Sequence, residues 1–327
     1  MNNGSFVISL DYELMWGCLE WSTPQTYGKT HVAQVPLVIE RILNLFEKYE
    51  VRATIATVGM IMSKDKFNIL NNYPELIPSY NNQSLSPYAN DYIQNIAEQD
   101  SSLYFSPEAI ELLKSKSYIE IGTHTFCHYY CDEDGQTIEQ FAADLNKAIE
   151  IAQSKSIELK SIVFPKNQVS DSYLRVCQEY GISCYRGNSR LFYKSSVNKF
   201  ASLKNRLCRL IDSYMGFWGS SSIPYSDIEQ TNGMVNVQAS RFLRPHNRKL
   251  SFLDSFKIKR ISNEIIYAAQ HNELYHLWWH PHNFGNNIEK NIEILEKILQ
   301  VYKKCHDQYG MQSYTMKEFA EKIIENA

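Results

Sequence analysis

The chain has 327 residues, 44% of them apolar and 21% charged, with a net charge of −3. This is ordinary globular composition with room for a large core, and the charge excludes a general nucleic-acid binder. Tyrosine is unusually common, at 22 beside 15 Phe and 5 Trp; such rings can line carbohydrate grooves, but most of them simply fill cores.

The first strand-like run covers residues 6–10, close behind Met1. No basic leader, no signal-type segment and no run able to span a bilayer accompany it. The seven cysteines, at 18, 127, 131, 177, 184, 208 and 305, form no regular framework. Reduced thiols and a cytoplasmic protein are therefore expected.

Residues 35–49 read as an amphipathic helix with Val38, Ile42, Leu45 and Phe46 on one face. Residues 51–58 are rich in β-branched side chains and predict a second strand. From about 62 to 105 the chain turns polar, which predicts an excursion outside the core. Ser106-Pro107 opens a helix, and residues 118–122 predict the next strand. Helix is then expected over 137–154 and 170–180, with strands over 160–164 and 182–185. A second excursion, near 188–240, follows. Residues 254–271 resume helical periodicity, 274–279 predict a strand, and 288–305 and 315–324 predict the last helices. Within the second excursion, residues 194–215 interleave Lys194, Lys199, Lys204, Arg206 and Arg209 with apolar positions. That spacing predicts an amphipathic helix with a basic side, either packed on the protein or docked peripherally on an anionic membrane. Repeated strand–helix units predict a parallel sheet covered by helices, barrel or doubly wound, in one domain over 1–327.

Several strand ends carry chemistry-bearing residues. Ser9-Leu10-Asp11-Tyr12-Glu13 places two carboxylates on one side of an extended strand end. One of them could bind a metal while the other acts as base, or both could be surface acids capping a loop. His124-Thr125-Phe126-Cys127-His128 has the spacing of a two-histidine metal grip, its rings on one face if the segment is helical. Two imidazoles and a carboxylate leave positions open for water and substrate, as a catalytic metal needs. Cys127 and Cys131 offer a rival, structural-zinc set with the histidines. His280, after the apolar run ending in Trp278-Trp279, is placed to donate a proton to a leaving group; His271 and His276 read as structural. The loop Phe164-Pro165-Lys166-Asn167-Gln168 can present Asn167 and backbone N–H groups to an oxyanion. Arg186, or Arg244 in Arg244-Pro245-His246-Asn247, could keep the base ionised.

In this order the segments resemble the polysaccharide deacetylases of the NodB-homology type (carbohydrate esterase family 4). His124-Thr125-Phe126-Cys127-His128 matches that family's second motif in full, and Leu277-Trp278-Trp279-His280 is similar to its last. The chain departs from the family at Tyr12, which replaces the second of two adjacent aspartates, and at 164–168, which replace an Arg-x-Pro-Tyr pattern. The resemblance implies an α/β fold, a distorted (β/α) barrel of about seven parallel strands. It implies a hydrolase that removes N-acetyl, or second to that O-acetyl, groups from a sugar of a cell-surface polysaccharide or its cytosolic precursor. It implies Asp11 as base, Glu13, His124 and His128 as ligands of a divalent metal such as zinc, and His280 as acid. Arg186 would supply the charge missing from the third motif, and Asn167 would hold the oxyanion. A hydrolase of another C–N bond, such as a cyclic amide, and an inactive carbohydrate-binding relative stay open.

Overall fold

All eight residues of strand β1, Ser5–Tyr12, are buried, as a strand covered on both faces must be. Its two faces meet different partners. Phe6, Ile8, Leu10 and Tyr12 join the large apolar core between sheet and helices. Val7 joins a smaller cluster with Ala56, Val163, Cys184, Val235 and Leu274, and alternation puts Ser9 and Asp11 on the same inner face.

The computed structural model describes residues 1–188, 212, 214 and 219–326. After β1 come β2 (Ala53–Thr57), β3 (Ile119–Thr123), β4 (Ser161–Ile162) and β5 (Cys184–Tyr185), each parallel to the one before. Four short strands follow: β6 (Ile223–Pro224), β7 (Gln230–Thr231), β8 (Met234–Asn236) and β9 (Arg241–Phe242). The last two are β10 (Glu273–Trp279) and β11 (Gln312–Tyr314), both parallel to β1.

The stretch 234–243 bonds to both sides of the curled sheet. β8 lies parallel to β5, and the Val237 and Ala239 N–H groups donate to the carbonyls of Tyr185 and Gly187. The chain then crosses over. Ser240 and Leu243 N–H groups donate to His276 and Trp278, and β9 lies parallel to β10. With β10 and β1–β5, this stretch makes the distorted barrel of seven parallel staves.

The helices are α1 (Val35–Lys48), α2 (Lys66–Leu70), α3 (Pro107–Lys114), α4 (Ile138–Ser154), α5 (Asp171–Glu179), α6 (Asp254–His271), α7 (Ile288–Tyr309) and α8 (Met316–Glu325). The predicted apolar face of α1 is buried. α4 and α8 both start at capping boxes, Thr137 with Gln140 and Thr315 with Glu318. Met316, Phe319 and Ala320 of α8 pack on Val7, Val163 and Cys184. They plug the N-terminal end of the barrel with apolar side chains, and the polar residues gather toward the strands' C-terminal ends, where such folds place their chemistry.

Three expectations are corrected. Residues 62–105 are not outside the core: Tyr80, Ile93, Leu103, Tyr104 and Phe105 are buried, because a few apolar anchors hold a polar stretch down. The region near 188–240 holds β6, β7 and β8 where no strand was expected, and β11 was missed altogether. The amphipathic helix expected over 194–215 lies outside the described residues, apart from 212 and 214. No helix among the described residues is long and apolar enough to cross a membrane.

Candidate active site

Directly after β1, Glu13 leads into a turn in which Leu14 takes a left-handed conformation (φ 47°). The turn swings the Glu13 carboxylate toward the loop after β3. There Glu13 Oε2 lies 3.0 Å from His128 Nε2 and 3.4 Å from His124 Nε2. All three residues are buried.

The histidine loop is not the helical turn that the four-residue spacing suggested. Thr125 and His128 are both left-handed, at φ 64° and 62°, each costing on the order of 1–3 kcal/mol. The surroundings fix them there. Thr125 Oγ1 donates to the His124 carbonyl (2.6 Å) and accepts from the Tyr129 N–H (2.7 Å). The Gly59 and Met60 N–H groups donate to the carbonyls of Thr125 and Phe126. Asp144, buried on α4, accepts from the N–H groups of Phe126 (2.7 Å) and Cys127 (3.0 Å). Burial pushes the Asp144 carboxyl up to about 6, against those hydrogen bonds.

His124 Nδ1 lies 2.7 Å from the Val163 carbonyl. Only an N–H can satisfy that acceptor, so Nε2 is the ring nitrogen turned toward Glu13 and the one available to a metal. Burial lowers the His128 pKa against the opposing pull of Glu13. Burial opposes the charge on Glu13, but His280, His124 and His128 together hold its carboxyl well below the usual range.

Asp11 faces the same space from inside the barrel. Arg186, just past β5, forks onto both its oxygens at 2.6 and 2.7 Å. The same guanidinium donates to Ser9 Oγ (3.1 Å) and Asn167 Oδ1 (3.0 Å) and lies 4.1 Å from the centre of the Trp278 ring. Burial works against the Asp11 charge, but Arg186, then His280, bring the carboxyl below its ordinary value. His280, at the end of β10, holds Nε2 3.6 Å from Asp11 Oδ2 and 3.7 Å from Glu13 Oε1. Its side chain is 24% exposed, whereas those of Asp11 and Glu13 are at 4% and 7%.

These groups line a cavity of about 430 Å³, within the usual range for small-ligand sites. Asp11, Glu13, His124, His128, Asn167 and His280 all reach it, and Trp21, Tyr27, Phe242 and Trp278 supply aromatic walls. Asn167 is left-handed (φ 54°) and ties its Oδ1 to Arg186.

The rival structural-zinc set does not assemble. Among the described residues, the metal-competent groups are Glu13, His124, His128 and Glu13, Cys18, His282; neither Cys127 nor Cys131 belongs to one. The six described cysteines are free and buried. His246 pairs with Asp254 (2.5 Å) and does not line the cavity, and His276 is a buried structural residue between the Val237 carbonyl and Ser9 Oγ.

No protein-family model matches the sequence, and no curated protein sequence does. Solved structures do match. One is a protein of Mycobacterium smegmatis described as a polysaccharide deacetylase, at 12% identity and a TM-score of 0.62, covering 100% of this chain and 92% of that one. Another, from Pseudomonas aeruginosa PAO1 and also described as a polysaccharide deacetylase, matches at 11% identity and 0.52, covering 97% and 89%. An allantoinase matches at 13% identity and 0.52, again covering 97% and 89%.

The chain has the polysaccharide deacetylase fold. On that fold, sequence reasoning missed His282, Cys18, Gly17 and Asp144. His282 was visible only as the second histidine of His280-Pro281-His282. Cys18 and Gly17 lie in the Leu14–Cys18 turn, whose close approach to Glu13 no motif announces. Asp144 lies on a helix whose buried positions are otherwise apolar.

Proposed function

We propose that the protein is a metal-dependent hydrolase that removes an N-acetyl group, or second to that an O-acetyl group, from a sugar of a cell-surface polysaccharide or its precursor. The observation that carries this reading is the convergence of three buried donor atoms, from Glu13, His124 and His128, beside an ion-paired carboxylate in one cavity. The donor set fits a divalent ion of the zinc type. Ligand atoms 2.0–2.1 Å from a tetrahedral ion stand about 3.3 Å apart, and the Glu13–His contacts are 3.0 and 3.4 Å. When bound, such an ion polarises an acyl carbonyl and eases the ionisation of water.

The protein's own residues do the rest. Asp11 takes the proton of the attacking water; Arg186 keeps it ionised and fixes its orientation, so the proton is held only in passing. His280, across from Asp11 in the same cavity, hands a proton to the departing amine, which leaves poorly without one. Asn167 and nearby backbone N–H groups favour the charge that develops on the acyl oxygen. Trp21, Tyr27 and Phe242 offer flat apolar faces on which a sugar ring can lie.

The test is acetate release from N- and O-acetylated sugar oligomers, with and without a chelator and after readdition of Zn²⁺. Release that stops with the chelator and returns with the ion supports the reading. Chelator-insensitive opening of a cyclic amide would move the protein to the other C–N hydrolase reading. Sugar binding without turnover or bound metal would leave a carbohydrate-binding protein.

A further inference from the structure

The Glu13 carboxylate has two oxygens, and only Oε2 is used by His124 and His128. Oε1 faces a different set. His280 Nε2 lies 3.7 Å from it and His282 Nε2 3.8 Å. Cys18, in the turn that follows Glu13, completes a group in which one donor atom each from Glu13, Cys18 and His282 all fall within 4.8 Å of one another.

His282 is the residue that asks for an explanation. It is 4% exposed, and its Nε2 stands 3.8 Å from Glu13 Oε1, too far for a hydrogen bond. It is held in place by packing: its ring stacks on His280 (5.0 Å, 25°) and meets Tyr27 edge-on (5.5 Å). Cys18 is fully buried, and its Sγ makes only a long contact, 3.7 Å, to the Leu14 carbonyl.

We propose that Glu13, Cys18 and His282 form a second zinc site, which shares the Glu13 carboxylate with the first. Thiolate, imidazole and carboxylate together suit zinc, a borderline-soft ion, better than magnesium or calcium. Glu13 and His282 line the cavity while Cys18 does not, so the thiolate closes the inner side and the remaining position opens toward substrate. This deepens the site proposed above and rests on Glu13 being a ligand there.

Apo-protein titrated with Zn²⁺ in equilibrium dialysis, and separately with Co²⁺ under a spectrophotometer, reads the two sites apart. The wild type binds two ions per chain, and cobalt loading gives a near-ultraviolet thiolate-to-cobalt charge-transfer band. Cys18→Ser and His282→Gln each drop to one ion, and Cys18→Ser loses the band; circular dichroism confirms that both fold. His128→Ala also drops to one ion but keeps the band. No band in the wild type, or a band that persists in Cys18→Ser, overturns the second site. A wild type with one ion, no band, and loss of that ion in His128→Ala overturns it while leaving the first site standing. Full binding in His128→Ala would count instead against the first site, and the band in Cys18→Ser would still decide the second.

Discussion

Gly17 packs against the Glu13 carboxylate so closely that a β-carbon at Gly17 would fall 2.1 Å from Glu13 Cδ and 2.3 Å from its Oε1. The obstructing atoms are the tip of a side chain that can swing aside, and that tip is the proposed ligand. Gly17→Ala is expected to push Glu13 out of register with His124 and His128. The variant should lose metal and turnover while its fold loses only about 1–3 kcal/mol, the usual cost of overpacking. Elemental analysis and thermal melting check this; full metal content in Gly17→Ala would refute it.

Arg186 is the second lever. Asp11 and Arg186 are both buried, and removing one partner of such a pair costs about 3–5 kcal/mol. The wild-type Asp11 carboxyl is depressed, so the pair's stabilisation is present above the ordinary carboxylate range and fades as pH falls through the lower, folded value. In Arg186→Met, burial is opposed chiefly by His280 and the Asp11 pKa rises. The acidic limb of the pH–rate profile should therefore move to higher pH, and an unmoved limb would show that Arg186 does not set the charge of the base.

The two carboxylates should fail differently. Asp11→Asn is expected to keep bound metal and lose roughly 10²–10⁴-fold in turnover, the worth of a general base. Glu13→Gln should chiefly weaken metal affinity, as should His124→Ala and His128→Ala, whereas Cys127→Ser and Cys131→Ser should keep the metal. Metal titrations paired with rate measurements separate these outcomes, and the opposite pattern would exchange the roles of Asp11 and Glu13.

A stability prediction concerns His276, whose pKa burial lowers to about 3. The unfolded chain binds a proton there near pH 6.5 and the native protein does not. The stability this gives is complete above about 6.5 and falls as pH drops toward 3, at about 1.4 kcal/mol per pH unit in mid-window. His276→Gln should flatten the denaturant-measured stability curve between pH 4 and 6 by that slope. Parallel curves for the two proteins would show that His276 does not stay neutral in the fold.

Periodicity carried most of the fold. The strands around β1 and the helices between them are long or apolar enough to show in sequence, and the capped starts of α4 and α8 are local. The closing stretch 234–243 is not legible, because it mixes Asn236, Gln238, Ser240 and Arg241 with its apolar residues. β4 and β5 fall inside the strands expected over 160–164 and 182–185, whereas β11 is only three residues long and pairs with β1 from the far end of the sequence. At the site, motif spacing named residues the fold brings together, but not how: His124 and His128 meet through two left-handed residues, and four-residue spacing cannot tell such a turn from a helix. The Arg186–Asp11 contact spans 175 positions, and no local pattern encodes a contact of that separation.

β1 is flanked by strands synthesised long after it: Ser5 is in register with Leu274 of β10 and with Gln312 of β11. While the intervening chain is being made, eight residues destined for complete burial have one edge without its native neighbours, a state open to intermolecular pairing. Such distant pairings also raise contact order and slow assembly. The barrel is thus completed only once β10 and β11 have been made, and a chain stopped before β10 is expected to aggregate rather than settle into a smaller barrel.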